Sequence, residues 1–143
     1  GEVLEGELVL PLGQAAVTRP GSQLTLIAWG AMWHEADRAA REAEAQGLDV
    51  EVLDLRSLQP LDVEAIVASV RKTGRAVVVH EAPRTCGFGA ELVALIQERC
   101  FLSLEAPVAR VTGFDTPFPY TLENEYLPRA PRILQALRET LAY

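Results

Sequence analysis

Residues 50–80, VEVLDLRSLQPLDVEAIVASVRKTGRAVVVH, contain one complete strand–helix–strand unit. Val50–Leu55 alternates between apolar and polar residues and Ala76–His80 is a short β-branched run, so both predict strands. Between them, Asp62 is placed to cap a helix with apolar residues at helical spacing, and Gly74 is placed to stop it. The stretch therefore predicts two parallel strands joined by a right-handed helical crossover.

The alternation of strands and helices continues on both sides of this unit, which predicts an α/β fold: a largely parallel sheet with helices on both faces. The outer elements follow from apolar runs, helical spacing and Gly or Pro signals. In chain order they are a strand over Leu24–Trp29, a helix ending at Gly47, a loop over Glu81–Gly89, a helix ending near Cys100, a strand over Val108–Thr112, a Pro-rich loop over Phe114–Pro119 and a helix beginning at Ala130-Pro131.

Length and composition favour one globular domain. The chain has 143 residues, of which 49% are hydrophobic and 23% charged. Residues 1–13 lack a period and are interpreted as a lead-in linker, with the domain over residues 14–143. The start at Gly1 rather than Met is expected of a processed chain or an excised domain. No apolar run has the length of a membrane span.

The charge balance argues against a nucleic-acid partner. Thirteen basic and 20 acidic residues give a net charge of −7, and no run is rich in Lys or Arg. An acidic surface suits either solubility or a basic protein partner, and charge alone does not separate the two. Cys86 and Cys100 have no metal-binding or redox spacing and are interpreted as free thiols in a reducing compartment.

Both histidines of the chain lie near predicted strand ends, where ligands collect in open parallel sheets. A pair of His34 and Glu81 across the sheet would make an acid–base couple, but no third group or nucleophile accompanies it. The structural interpretation is therefore preferred. His80, at the end of a buried strand, is expected to be a hydrogen-bonded structural histidine.

Two loops carry weaker signals of chemistry. Gly87-Phe88-Gly89 lies between a strand and a helix, as a phosphate loop would, but it lacks the remaining fingerprint residues and is interpreted as a tight turn. Asp115 precedes a Thr-Pro step and is expected to close its own turn. With no Ser/His/Asp set, zinc spacing or carboxylate dyad in the sequence, no catalytic, cofactor or metal residue is assigned.

Several ordered segments resemble the beta subunits of thiamine-dependent 2-oxoacid dehydrogenases, and the resemblance extends from about Leu8 to Tyr143. Gly113–Pro119, Cys100–Pro107 and the Leu-Ala-Tyr ending look most like the branched-chain type, while pyruvate and acetoin dehydrogenases remain alternatives. Cys86 departs from the family, where Gly is common. The segments that carry the resemblance are Asp54–Asp62, Ser69–Arg75, His80–Pro83, Gly87–Glu91 and Leu104–Val108.

The resemblance implies the transketolase C-terminal fold: three α/β/α layers with a mostly parallel five-stranded sheet, whose short antiparallel first strand is placed near Ala15–Arg19. It implies a parent α2β2 heterotetramer that uses thiamine diphosphate and magnesium, decarboxylates branched-chain 2-oxoacids and passes the acyl group to lipoyl-lysine of a dihydrolipoyl acyltransferase core. This domain alone is expected to be inactive and to hold no cofactor. The expected location is the cytoplasm, or the mitochondrial matrix in a eukaryote.

The resemblance also points to partner-binding residues. Glu105 and the terminal carboxylate of Tyr143 are expected to bind the basic subunit-binding domain of the acyltransferase; the alternatives are a solvated acid and a frayed terminus. Phe114, Phe118, Tyr120 and Tyr126 are expected to take part in self-association, or else to fold back onto their own core. A different class of function, a stand-alone module that binds a small regulatory anion at the strand ends, also stays open.

Overall fold

The structure, a computed structural model, describes residues 5–6 and 9–143, so part of the predicted lead-in (residues 1–4 and 7–8) lies outside the described residues. The described chain forms strands and helices in close alternation. They are β1 (Ala16–Arg19), β2 (Leu24–Ala28), α1 (Ala31–Glu44), β3 (Val50–Asp54), α2 (Val63–Thr73), β4 (Ala76–Pro83), α3 (Gly89–Cys100), a 3-10 turn (Phe101–Ser103), β5 (Ala109–Gly113), α4 (Glu123–Tyr126) and α5 (Ala130–Leu141).

The five strands form one mixed sheet in the order β1-β3-β2-β4-β5. β1 pairs antiparallel with β3, with Ala16 opposite Asp54, and the other neighbours are parallel. Every side chain of β2 is buried, as expected of a central strand covered on both faces. The predicted three-layer fold with an antiparallel first strand is confirmed.

Two hydrophobic cores lie on opposite faces of the sheet. On one face α1 and α5 pack against β2, β3 and β4, with Leu26, Ala36 and Leu137 fully buried. On the other face α2 and α3 cover residues of the same strands that include Leu53 and Val78. Because successive side chains of a strand point to opposite faces, each strand contributes to both cores.

The signals at both ends of α2 are confirmed. The Asp62 Oδ1 atom accepts a hydrogen bond from the Ala65 amide at 3.1 Å, and Gly74 ends the helix with φ of 69°. The second carboxylate oxygen of Asp62 accepts from the Ala15 amide at 2.9 Å. One side chain thus caps α2 and fixes the entry of the chain into β1.

A buried carboxylate joins α1 to α5. Glu35 is 7% exposed, and its Oε2 atom accepts a hydrogen bond from the Ala130 amide at 2.9 Å. Arg129 donates to the other carboxylate oxygen at 3.3 Å. Glu35 therefore caps the first turn of α5, which has no acidic residue of its own there.

The structure differs from the predicted boundaries at the ends of β4 and β5. β4 continues past His80 to Pro83, which pairs with Gly113 after a shift in register. The predicted loop over Glu81–Gly89 is therefore partly strand. The helix α4 was not predicted, because four residues hold no periodic signal. Among the described residues, no helix is long and apolar enough to cross a membrane.

Candidate assembly surfaces

His80 lies under the carboxyl edge of the sheet as a buried structural residue. It is 2% exposed and stacks on Trp29 with ring centroids 5.6 Å apart. Neither ring nitrogen has a hydrogen-bond partner among the described residues. The hydrogen bond expected of His80 is therefore not found, because the Trp29 side chain and the glycine turn enclose most of the ring and the polar groups nearby, Arg110 and the Ala82 backbone, make no hydrogen bond of good geometry to it.

The Gly87-Phe88-Gly89 turn packs directly on this imidazole. A Cβ atom added at Gly87 would lie 2.5 Å from the Cε1 atom of His80, and one added at Gly89 would lie 2.5 Å from its Cδ2 atom. Both glycines are required by this close approach, which supports the interpretation as a tight turn. Cys86 enters the turn with φ of 58°, a left-handed conformation that suits Gly better than Cys.

We expect His80 to make the stability of the protein pH-dependent. Burial lowers the pKa of His80 in the folded chain, and the charge of Arg110 lowers it further. In the unfolded chain the pKa returns to about 6.5, so the unfolded state binds more protons below that pH. The free energy of unfolding should therefore fall as the pH drops below about 6.5. Denaturant unfolding at a series of pH values measures this fall for the parent and for His80→Asn. The fall below about pH 6.5 should be absent from His80→Asn, and an equal fall in both proteins would show that His80 is not its cause.

The His34–Glu81 couple, the less favoured interpretation of these residues, does not form in the structure. His34 is exposed and lies edge-on to Trp33, with centroids 4.9 Å apart, and no ion pair joins it to Glu81 among residues 9–143. The structural interpretation preferred from the sequence agrees with this geometry.

Asp115 joins two loops instead of closing its own turn. Its Oδ1 atom accepts from the Thr85 amide at 2.8 Å and its Oδ2 atom from the Thr85 hydroxyl at 2.7 Å. These hydrogen bonds hold the pKa of Asp115 below its usual value. The expectation of a local turn is wrong because the loop after β4 supplies both donors. Both cysteines are free, as expected, and burial raises the pKa of the Cys100 thiol.

The loop over residues 114–127, here called the aromatic loop, covers the carboxyl ends of β4 and β5. Tyr126 is 5% exposed and lies beneath Phe114 and Phe118, whose ring centroids are 6.2 and 5.1 Å from its own. Phe114 and Phe118 are about half exposed, and Tyr120 is 90% exposed. Tyr126 therefore supports the loop from inside, and the other three aromatics form its outer face.

Arg132 of α5 anchors the aromatic loop to the sheet. Its guanidinium donates to the carbonyl oxygen of Thr112 at 2.8 Å and to those of Tyr126 and Leu127 at 3.2 and 3.3 Å. It also lies over the Phe114 ring, 4.5 Å from the centroid. One charged side chain thus fixes both ends of the loop.

A second surface, here called the acidic groove, lies at the opposite end of the strands from the aromatic loop, beside the amino end of β4. The side chain of Glu105 is 59% exposed and pairs with Arg75 at 2.5 Å. The Glu105 amide donates to the carbonyl oxygen of Gly74, which holds the residue beside the amino end of β4. The groove has a volume of about 410 Å³ and is lined by Gln97, Phe101, Leu104, Glu105, Ala106 and Pro107.

Large apolar side chains are exposed at the acidic groove and elsewhere on the surface. Phe101, which lines the groove, is 62% exposed, and the next residue, Leu102, is 96% exposed. Tyr143, after the end of α5, is 75% exposed and does not line the groove. Phe101 and Leu102 were not among the residues predicted to bind a partner. The sequence does carry a signal for an exposed apolar patch here, because two large apolar residues follow the predicted helix end at Cys100 and fit no helical stripe. The structure gives no hydrogen bond or ion pair between Glu105 and Tyr143 in its described part.

The sequence and the fold of the chain match a known domain family. A family model described as "Transketolase, C-terminal domain" matches residues 13–133. The chain therefore belongs to the transketolase C-terminal domain family. A solved structure, a split-gene transketolase described as an inactive beta4 tetramer, superposes with a TM-score of 0.85 at 30% identity over 99% of this chain and 46% of that chain.

Curated relatives place the chain in a narrower group of sequences. It is 53% identical over 140 residues to the 2-oxoisovalerate dehydrogenase subunit beta of Pseudomonas aeruginosa, and covers 39% of that protein and 98% of itself. A mitochondrial 2-oxoisovalerate dehydrogenase subunit beta 2 of Arabidopsis thaliana is 50% identical over 142 residues, and the match covers 99% of this chain and 40% of that protein. A pyruvate dehydrogenase E1 component subunit beta of Staphylococcus aureus is also 50% identical, over 143 residues, and the match covers 99% of this chain and 44% of that protein. The chain thus spans about two fifths of the length of these relatives.

Proposed function

We propose that this chain is the C-terminal assembly domain of the beta subunit of a branched-chain 2-oxoacid dehydrogenase. The supporting observation is 47–53% identity to three 2-oxoisovalerate dehydrogenase beta subunits over nearly the whole chain. The alternative is a pyruvate dehydrogenase, whose beta subunits follow at 50% identity. The parent enzyme would decarboxylate a branched-chain 2-oxoacid and pass the acyl group to lipoyl-lysine, in the cytoplasm or in the mitochondrial matrix of a eukaryote.

The role proposed for this domain is assembly rather than chemistry. The parent would use thiamine diphosphate and magnesium, with an alpha subunit as its partner. Among residues 5–6 and 9–143, no group of three or more His, Cys, Asp or Glu side chains is placed to hold a metal ion. No step through the cofactor is therefore assigned to any residue of this chain.

We propose that the acidic groove binds the basic subunit-binding domain of the acyltransferase. Glu105 offers an exposed carboxylate beside Phe101 and Leu102, and an acid next to an exposed apolar patch suits a partner with an arginine and apolar anchors. Arg75 already pairs with Glu105, so an incoming cation would share that carboxylate. We propose Tyr143, which is exposed but does not line the groove, as a second contact.

We expect Glu105→Gln to weaken docking of the subunit-binding domain to the full-length subunits by roughly tenfold or more, because a charge-assisted hydrogen bond at an interface is lost. Isothermal titration at low salt measures this. Removal of Tyr143 should also weaken binding.

Glu98→Gln is the matched control for Glu105→Gln. Glu98 is an exposed acid of α3 without an ion-pair partner among the described residues. Its change to Gln therefore removes the same charge as Glu105→Gln. Equal affinities for the parent, Glu105→Gln and the variant lacking Tyr143 would show that the acidic groove is not the docking site.

We further propose that the outer face of the aromatic loop takes part in self-association of the beta subunit. Phe118, Tyr120 and Leu122 are between 55% and 90% exposed, and Phe114 is 49% exposed. Two shallow depressions beside them, of about 350 and 340 Å³, could receive aromatic side chains of a second copy. A two-fold contact needs only one such self-complementary patch.

We expect this chain to form a weak dimer that the change Phe118→Ser/Tyr120→Ser weakens by about tenfold or more, because exposed aromatics dominate such contacts. Sedimentation equilibrium over a wide concentration range measures the association. Leu102→Ser, at the opposite edge, removes an apolar side chain that is 96% exposed and should leave the dimer unchanged. A chain that stays monomeric at the highest concentration would contradict the proposal.

A further inference from the structure

Three arginines converge on a cavity beside the edge strand β5. Arg84 comes from the end of β4, Arg110 from β5 and Arg132 from α5, and they line a cavity of about 400 Å³. Arg84 and Arg110 are held side by side, because each guanidinium donates to the backbone carbonyl oxygen of the other residue, at 3.3 and 2.9 Å. The cavity lies within the size range of small-molecule sites, roughly 300–1,000 Å³.

The positive charge of these arginines is not neutralised by ion pairs. None of the three guanidinium groups lies within 4.0 Å of a carboxylate oxygen in the described part of the chain. Their hydrogen-bond partners are neutral carbonyl oxygens. The nearest compensation is at longer range, because the charge of Arg84 attracts Asp115 and helps to lower the pKa of that carboxyl.

Two carboxylates border the cavity, and both already have donors. Asp115 accepts two hydrogen bonds from Thr85, and the Oε1 atom of Glu139 accepts from the Gln135 amide at 2.8 Å. Arg132 is largely committed to the aromatic loop through its three carbonyl acceptors. Arg84 and Arg110, in contrast, each use one N–H group of five, which leaves most of their donors for an external anion.

We propose that Arg84 and Arg110 form a site for the phosphate group of a small phosphate monoester. Two adjacent guanidinium forks match the oxygens of a phosphate dianion, which they bind bidentately. A carboxylate carries only one charge and two oxygens, and so matches the arrangement less well. The cavity is larger than an inorganic phosphate, and its remaining wall, with Val111, Phe114 and Ala136, suits the organic part of a monoester.

The test is isothermal titration of the full-length protein that contains this chain, in saturating thiamine diphosphate so that any thiamine site is already filled. The probes are inorganic phosphate, glycerol 2-phosphate and acetate. We expect saturable binding of glycerol 2-phosphate that weakens with salt, and little binding of acetate. Binding of glycerol 2-phosphate more tightly than inorganic phosphate supports a monoester as the ligand, whereas a preference for inorganic phosphate would overturn the monoester assignment.

Arg84→Gln and Arg110→Gln should each weaken binding of glycerol 2-phosphate by about tenfold or more, because each removes a bidentate charged partner. Arg99→Gln is the matched control: Arg99 is exposed on α3, outside the cavity and without an ion-pair partner among the described residues. It should bind as the parent does. Absence of saturable phosphate binding, acetate binding of equal strength, or an equal loss in Arg99→Gln would each overturn the proposal.

Discussion

Gly89→Ala should destabilise the protein by about 3 kcal/mol, although Gly89 begins a helix and Ala is the better helix former by about 1 kcal/mol. The added methyl group would enter the space of the His80 ring, 2.5 Å from its Cδ2 atom. That ring is 2% exposed and stacks on Trp29, so it has no free direction in which to move. Denaturant unfolding monitored by circular dichroism measures the change.

A second background tests whether the cost of Gly89→Ala comes from the contact with the His80 ring. In a His80→Ala background the ring is absent, so Gly89→Ala should cost less than about 0.5 kcal/mol or should stabilise the helix. Such a double-mutant cycle separates the contact from any effect on the backbone. An equal cost in both backgrounds would show that the glycine is required for another reason.

Glu35→Ala should lower the free energy of unfolding by about 2–3 kcal/mol, because it leaves the buried Ala130 amide without an acceptor and removes the cap of α5. Glu35→Gln keeps an oxygen that can accept this hydrogen bond, and we expect it to lose roughly half as much. Denaturant unfolding of the parent, Glu35→Gln and Glu35→Ala measures the three free energies of unfolding, which should decrease in that order.

Glu42→Ala is the control on the same helix. Glu42 is exposed and has no ion-pair partner among the described residues, so its removal should change the free energy of unfolding by less than about 0.5 kcal/mol. If Glu35→Ala were as mild as Glu42→Ala, the Glu35–Ala130 contact would not hold α5 in place.

The fold follows from local signals to a large extent. The β-branched run Ala76–His80, the cap at Asp62 and the stop at Gly74 each act within a few residues, so the sequence predicts them correctly. The end of β4 was misplaced, because Glu81–Pro83 has no apolar strand pattern and contains a proline. Only its pairing with Gly113 makes this segment a strand.

The candidate surfaces depend on contacts that sequence spacing does not encode. Tyr120 and Tyr126 look equivalent in the sequence, yet one is 90% and the other 5% exposed, since Tyr126 packs under the rings of Phe114 and Phe118. The need for Gly87 and Gly89 arises from the His80 ring, which belongs to a different element. The arginine cavity has no sequence signal either, because its walls come from the end of β4, from β5 and from α5.

The central claim is that this domain belongs to a branched-chain 2-oxoacid dehydrogenase. It is tested most directly by the kcat/KM values of the full-length beta subunit, assembled with its alpha subunit and thiamine diphosphate, for 2-oxoisovalerate and for pyruvate. We predict a value for 2-oxoisovalerate at least about tenfold above that for pyruvate, because a pocket shaped for a branched side chain gains roughly 1–3 kcal/mol from its extra methyl groups. A preference for pyruvate, or no activity with either acid, would contradict the claim.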